Sequence, residues 1–228
     1  MSKSHDTVVA FFDVDETLVS VKTLESFLLY YQKLTPSMAS PQRLGELREQ
    51  ALQLGRSELN RLYFALWAAQ PVDLVSEAGR SWYAETSSQP GFYRANVLER
   101  LREHRQAGHH IVLVSGSFAA PLQPLADDVG ADRLYCTQLE TNRGLYTGQI
   151  NAAMIGGEKG TAVDAYLNAL RSAAVTSWGY GDHPSDLPLL EHVTNPVVVG
   201  SDDALLKVAT RRQWPVMPIK EPLAPRIK

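Results

Sequence analysis

Two aspartates stand two residues apart at the end of an apolar run. They are Asp13 and Asp15, in Asp13-Val14-Asp15-Glu16-Thr17 directly after VVAFF. On an extended segment alternate side chains face the same way, so both carboxylates can meet one reacting group. Three further polar groupings share the theme. Ser115-Gly116-Ser117 closes a second apolar run, Lys159 follows Gly156-Gly157-Glu158, and Gly181-Asp182-His183-Pro184-Ser185-Asp186 closes a third. Together they offer carboxylates for a hard cation, hydroxyl and amide donors for an anion, and one ammonium. Such a set suits a phosphoryl group beside a divalent metal. Magnesium prefers oxygen ligands, and in-line attack at phosphorus needs the phosphoryl oxygens neutralised.

The surrounding pattern says how these groups are carried. Val8 to Val14 is rich in β-formers and apolar on both faces, which predicts a strand in a parallel sheet. From Val21 to about Thr86 the spacing turns helical in LESFLLYYQKL, RLGELREQALQL, ELNRLYFALWA and DLVSEAGRSWYAE. Pro36, Pro41, Gly55 and Pro71 punctuate these helices. Tyr30, Tyr31, Tyr63, Phe64, Trp67 and Trp82 read mostly as the core of this unit, with one or two free to line a pocket. After Gln89-Pro90-Gly91, strands and helices alternate. Strands are expected at His110–Val114, Arg133–Thr137, Val175–Tyr180, Pro196–Val199 and Pro215–Pro218, and a hairpin at Asn142-Arg143-Gly144. Helices are expected at Asn96–Ala107, Ala120–Val129, Lys159–Ala173 and Asp203–Thr210, with a helical turn at Pro184–His192. This order predicts an α/β fold, a Rossmann-like doubly wound parallel sheet with an inserted helical unit. The expected division is a core of residues 1–20 and 88–228 and an insert of residues 21–87. Ligands of such sheets sit beyond the carboxyl ends of the strands, where the polar groupings fall.

Composition narrows the partners. The chain has 228 residues, 44% hydrophobic and 21% charged, with a formal net charge of −3. That is ordinary for a folded domain and gives no electrostatic footprint for nucleic acid or an anionic membrane. No apolar run reaches the ~20 residues of a membrane span, and residues 1–6 lack signal-peptide form. The single cysteine, Cys136, cannot form an internal disulfide and reads as a small buried hydrophobe. A cytoplasmic monomer or homodimer is the expectation. His109-His110 precedes a strand without a partner cluster and reads as surface or core filler.

Each motif alone has a plain structural explanation as a turn, a cap or a solvated lysine. Their joint order carries more, and it resembles the haloacid dehalogenase superfamily of phosphatases, in the branch that contains phosphoserine phosphatase. The first motif of that superfamily, DxDxT, is matched by Asp13, Asp15 and Thr17. The second, a Ser or Thr at a strand end, is matched by Ser115, the third by Lys159, and the fourth, GDxxxD, by Asp182 and Asp186. The helices between the first and second motifs stand where this branch inserts its cap.

The resemblance implies a Mg2+-dependent hydrolysis of a small-molecule phosphate ester. Asp13 would be the nucleophile and form an aspartyl-phosphate, and Asp15 the general acid/base. The Asp13 and Asp182 carboxylates and the Asp15 carbonyl would hold the metal, and Asp186 would brace its waters or Lys159. Ser115 and the Gly116 amide would grip a phosphate oxygen, Lys159 would offset the negative charge, and Thr17 would hydrogen-bond locally to shape the loop. Phosphoserine phosphatases carry a Glu nine positions after the nucleophile, whereas this chain has Lys22, which argues against phosphoserine as the main substrate. Glu25 stands close enough to compensate. Arg61 falls where the resemblance puts a carboxylate-binding Arg, with Arg43, Arg48 and Arg56 as rivals, and His183 lies inside the fourth motif, where contact with substrate and a structural role are both open. Phosphotransfer to an acceptor alcohol would use the same residues. A non-catalytic binding protein would be expected to have lost Asp13, Asp15 or Lys159, and all three are present.

Overall fold

The computed structural model describes residues 7–36, 38, 49, 56–170 and 175–219. Apart from Glu49, the expected helix at 43–54 with Arg43 and Arg48, the end of the helix proposed to reach Ala173, and the tail after 219 lie outside these residues. A seven-stranded sheet runs in the order β4-β3-β2-β1-β5-β6-β7. Its strands are β1 (Thr7–Phe12), β2 (His110–Phe118), β3 (Arg133–Asn142), β4 (Leu145–Ala152), β5 (Val175–Gly181), β6 (Asn195–Val199) and β7 (Val216–Met217). All pair in parallel except β3 with β4. The doubly wound α/β sheet expected from the sequence is therefore present. β3 is longer than its apolar stretch suggested, because beyond Thr137 it continues as one arm of the hairpin. The turn between β3 and β4 places Arg143 and Gly144 at φ 51° and 79°, the backbone that tight hairpins need.

β1 is central because its side chains Val9 to Phe12 are wholly buried. The chain builds β2 and β3 on one side of it, then crosses to build β5, β6 and β7 on the other. The crevice where the direction reverses opens at the carboxyl ends of β1, β2 and β5, the usual ligand position in such sheets.

Helices α1 (Thr23–Leu34), α2 (Arg56–Ala65) and α3 (Val72–Ser87) form the described part of the insert. Helices α4 (Ala95–Gln106), α5 (Ala119–Val129), α6 (Gly157–Ala169), α7 (Leu187–Glu191) and α8 (Asp203–Arg212) belong to the alternating part. Among the described residues no helix is long and apolar enough to cross a membrane.

The insert does not have a separate core. Phe118, at the end of β2, lies 5.9 Å from Phe27, 5.8 Å from Phe64 and 5.0 Å from Trp67 between ring centroids. One buried cluster runs from these rings to Val97, Leu113 and Tyr180. Helix α3 lies against α5 so closely that a Cβ on Gly79 would stand 2.0 Å from the Ala120 carbonyl oxygen. The β4 arm ties down the loop after α2, with the Ala69 amide donating to Tyr146 (2.8 Å) and the Tyr146 amide to Gln70 (3.0 Å).

The two histidines read as filler have partners, one on each face of the sheet. His104 is buried and sits 2.8 Å from the Tyr180 hydroxyl through Nε2 and 2.8 Å from His109 Nδ1 through Nδ1. His110 Nδ1 meets the Tyr166 hydroxyl at 2.9 Å. Burial first, then the nearby His109 and Arg100, lower the His104 pKa to about 4.

Two outcomes follow from this packing. Gly79→Ala should lose at least about 2 kcal/mol of stability in urea unfolding, because backbone cannot move aside as a side chain can. His104 is neutral in the fold and titrates near its ordinary value when unfolded, so the unfolded chain binds more protons between those two values. The stability it contributes is complete above pH 6.5 and lost as the pH falls towards 4. The stability gap between wild type and His104→Asn should accordingly narrow between pH 7 and pH 5.

Candidate active site

Every strand that borders the crevice delivers a candidate side chain within three residues of its end. Asp13 follows β1, its amide donating to the Tyr180 carbonyl of β5 (2.9 Å), so the two strand ends are locked together. Lys159 rises from the first turn of α6 and is 3% exposed. Its ammonium lies 2.5 Å from Asp13 Oδ1 and 2.6 Å from Asp186 Oδ1. Asp186 is equally buried, and its second oxygen accepts the His183 amide at 3.0 Å. That bond closes a capping box on the short 3-10 turn Pro184–Asp186. Gly181 makes the approach possible, since a Cβ there would come 2.6 Å from Asp186 Cβ.

Asp15 holds a different set. Its Oδ1 accepts the backbone amide of Thr23 (2.7 Å), the first residue of α1, and its Oδ2 accepts the Ser115 hydroxyl (3.3 Å). Ser115 also takes the Ser117 amide at 3.1 Å. Thr17 does not act locally. Its hydroxyl donates to Asp182 Oδ1 at 2.7 Å, across 165 positions of chain, and orients that carboxylate.

The cavity enclosed by these groups has about 460 Å³ of empty space including its open mouth. It is lined by Asp13, Asp15, Glu16, Gly116, Lys159, Asp182, His183, Ser185 and Asp186, with Leu24, Asn60 and Ile155 as the remaining wall. Thr17 and Ser115 stand behind that lining, one bonded to Asp182 and the other to Asp15. His183 lines it, with Nδ1 3.0 Å from the Ser185 hydroxyl.

The insert residues singled out from the sequence fall elsewhere. Lys22 is exposed and 3.8 Å from Glu16 at the rim, while Glu25 and Arg61 are exposed on α1 and α2. None of the three is in the lining. Leu24 and Asn60 are, one position away in each helix, which is about 100° of rotation. None of the six aromatic residues singled out in the insert lines the cavity. Tyr31, Tyr63, Phe64, Trp67 and Trp82 are core, and Tyr30 is half-buried and bonds Glu85.

The electrostatics are those of crowded acids. Burial, then the charge of Asp186, pushes the Asp13 pKa well above the usual carboxylate range, with Lys159 pulling the other way. Burial raises Asp15, opposed by the hydrogen bonds from Thr23. Asp182 is raised to about 6, again by burial first. Burial would lower Lys159, but Asp13 and Asp186 outweigh it and its pKa is raised, so it is a fixed cation. Oxygens of Asp13, Asp182 and Asp186 lie within 4.8 Å of one another. Three carboxylates facing one ammonium leave uncompensated negative charge, and the all-oxygen donor set fits a hard divalent cation such as Mg2+.

The family described as haloacid dehalogenase-like hydrolase matches residues 10–191. A probable phosphatase of Mycobacterium tuberculosis is 30% identical over 132 residues, 58% of this chain and 46% of that protein. The inhibition of morphological differentiation protein of Streptomyces azureus is 31% identical over 124 residues, 54% of this chain and 45% of that one. The chain thus spans about half the length of these relatives. A histidinol-phosphatase of Neisseria meningitidis is 27% identical over 93% of this chain and 99% of its own. Among solved structures, a protein of unknown function from Bordetella pertussis superposes with a TM-score of 0.83 at 23% identity, covering 95% of this chain and 100% of that one. A substrate-bound phosphoserine phosphatase does so with 0.68 at 15% identity, over 97% and 96%.

Removing the ammonium should expose the cost of the acids around it. In metal-free buffer at pH 8, Lys159→Met is expected to lower unfolding stability by about 3–5 kcal/mol, the usual result of stripping one partner from a buried pair. Raised carboxylate pKa values favour protonation as the pH falls, so the loss should shrink at pH 5, as read from urea unfolding at the two pH values.

Proposed function

We propose that this chain, which belongs to the haloacid dehalogenase-like hydrolase family, is a Mg2+-dependent phosphomonoesterase acting on a small-molecule phosphate ester. The observation that carries this reading is the convergence of Asp13 and Asp15 on one cavity with Lys159 bonded to Asp13. The phosphatases among its relatives support it.

Asp13 attacks phosphorus in line, and the bond from phosphorus to the leaving oxygen breaks as the aspartyl-phosphate forms. Asp15 gives its proton to that oxygen, so the alcohol departs neutral. Its raised pKa, from burial first, favours the protonated form this step requires. Asp15 then takes a proton from a water that attacks the phosphorus, which frees Asp13 and inorganic phosphate. Lys159 holds Asp13 in place for attack, and the Gly116 amide is set to donate to a phosphoryl oxygen. Mg2+ would be held by the Asp13 and Asp182 carboxylates and the Asp15 carbonyl, and would supply charge neutralisation at the phosphoryl oxygens. Asp186 anchors Lys159, and Thr17 fixes Asp182. The helices of residues 21–87 act as a cap over the alcohol half of the substrate.

Phosphoserine is not the preferred substrate in this reading. Position 22 is a lysine at the rim paired with Glu16, and the wall that α1 presents is Leu24, so α1 offers no carboxylate inside for an ammonium.

An aryl phosphate should be hydrolysed with magnesium and not in excess chelator. Asp13→Asn and Asp15→Asn should each lower kcat by at least about 10³-fold, in the range of losing an essential reacting group. Acid-quenched wild type should carry a phosphoryl adduct on the peptide containing Asp13, and Asp13→Asn should not. Full activity in Asp13→Asn, or phosphoserine turned over faster than polyol phosphates, would contradict the scheme.

A further inference from the structure

We infer that Asn60 is the specificity-determining residue of the cap, and that it selects an alcohol bearing a hydroxyl or amino group over one bearing a carboxylate. The inference rests on the phosphomonoesterase reading and assigns the leaving-group end of the same cavity.

Asn60 is half-buried on the α2 wall of the cavity. Its amide makes no hydrogen bond among the described residues, whereas Asp13, Asp15, Asp182, Asp186 and Lys159 each have a partner. A carboxamide carries two donors and an acceptor, and those of Asn60 are open at the cavity wall for a substrate group to meet. A hydroxyl or an ammonium on the substrate would satisfy them.

The helix that carries Asn60 is also held in place. Tyr63, three residues on and so on the same face of α2, donates its hydroxyl to the Leu24 carbonyl at 2.5 Å. That bond fixes α2 to α1, and the backbone bonds of Ala69 and Gln70 with Tyr146 fix the loop after α2 to β4. A recognition group on a pinned helix keeps its position better than one on a loop. Leu24 and Ile155 share the wall and offer carbon surface for a short aliphatic stretch.

Charge decides against the carboxylate. The lining holds the carboxylates of Asp13, Asp15, Glu16, Asp182 and Asp186, and among the described residues Lys159 is its one fixed cation. Lys159 is already shared between two acids. Arg61 and Lys22, the cations nearest in sequence, are exposed and outside the lining. A second anion on the substrate would enter a field of its own sign.

Binding can be measured without turnover, in Asp13→Asn protein with magnesium, by calorimetry with glycerol 3-phosphate, phosphoglycolate and inorganic phosphate. Glycerol 3-phosphate should bind about tenfold or more tighter than phosphoglycolate. Adding Asn60→Ala should lower the ratio of glycerol 3-phosphate to inorganic phosphate affinity by about tenfold, the scale of one hydrogen bond group lost. Circular dichroism and inorganic phosphate binding verify that the double variant is folded. A ratio unmoved by Asn60→Ala, or phosphoglycolate binding more tightly, would overturn the assignment. Failure of the phosphomonoesterase reading looks different, as this selectivity in binding with no magnesium-dependent turnover by wild type.

Discussion

The Lys159 ammonium, shut away from water between Asp13 and Asp186, constrains almost everything around it. Desolvating three charges is expensive, and the geometry compensates only if all three arrive from fixed directions. Asp13 must leave β1 where β5 holds its amide. Asp186 must fold back against a residue without a Cβ, Gly181. Lys159 must start a helix aimed at both. A central strand with neighbours built outward in both directions meets these demands, because it brings three chain segments far apart in sequence to one edge of the sheet. Burial first, and the neighbouring acids after it, leave Asp13 and Asp182 holding protons more tightly than usual, a cost to their ionised forms that a divalent cation would relieve.

The insert is tied to this centre through packing more than through polar contacts. Phe118, three residues beyond Ser115, is the ring around which Phe27, Phe64 and Trp67 gather. One short segment therefore carries both the site hydroxyl and the anchor of the helices above it. The direction in which Leu24 and Asn60 point follows from that anchoring, together with the Tyr63 bond and the clamp of β4 on the loop after α2. The α1 and α2 wall of the cavity is thus set by the hydrophobic core.

Much of this was legible in the sequence. The apolar runs marked β1, β2, β5 and β6, and the polar groupings at their ends marked the cavity floor, since both depend on local pattern. Asp13, Asp15, Lys159, Asp182 and Asp186 meet where strand-end reasoning put them. What escaped was what depends on helix rotation and long-range partnership. Lys22, Glu25 and Arg61 drew notice as charges, yet the lining takes their neighbours Leu24 and Asn60, and a shift of one residue turns a helical side chain about 100° away. Only the tertiary packing of α1 and α2 fixes that angle. Thr17 reaches Asp182 rather than its own loop, and His109 and His110 find His104 and Tyr166, pairings that sequence separation conceals. Asn60 gave no signal of its own in an otherwise amphipathic helix.

The bond from the Thr23 amide to Asp15 joins two jobs usually thought separable. The open end of a helix carries partial positive charge and unpaired amides, and here one of them lies on the Asp15 carboxylate. In the proposed reaction, helix α1 is at once part of the wall facing the alcohol and part of the environment that sets the acidity of Asp15. A lineage that reshapes α1 to admit a new alcohol therefore retunes its acid in the same stroke. Changes of substrate in this scaffold should come more freely through α2, whose wall residue is bonded to no reacting group.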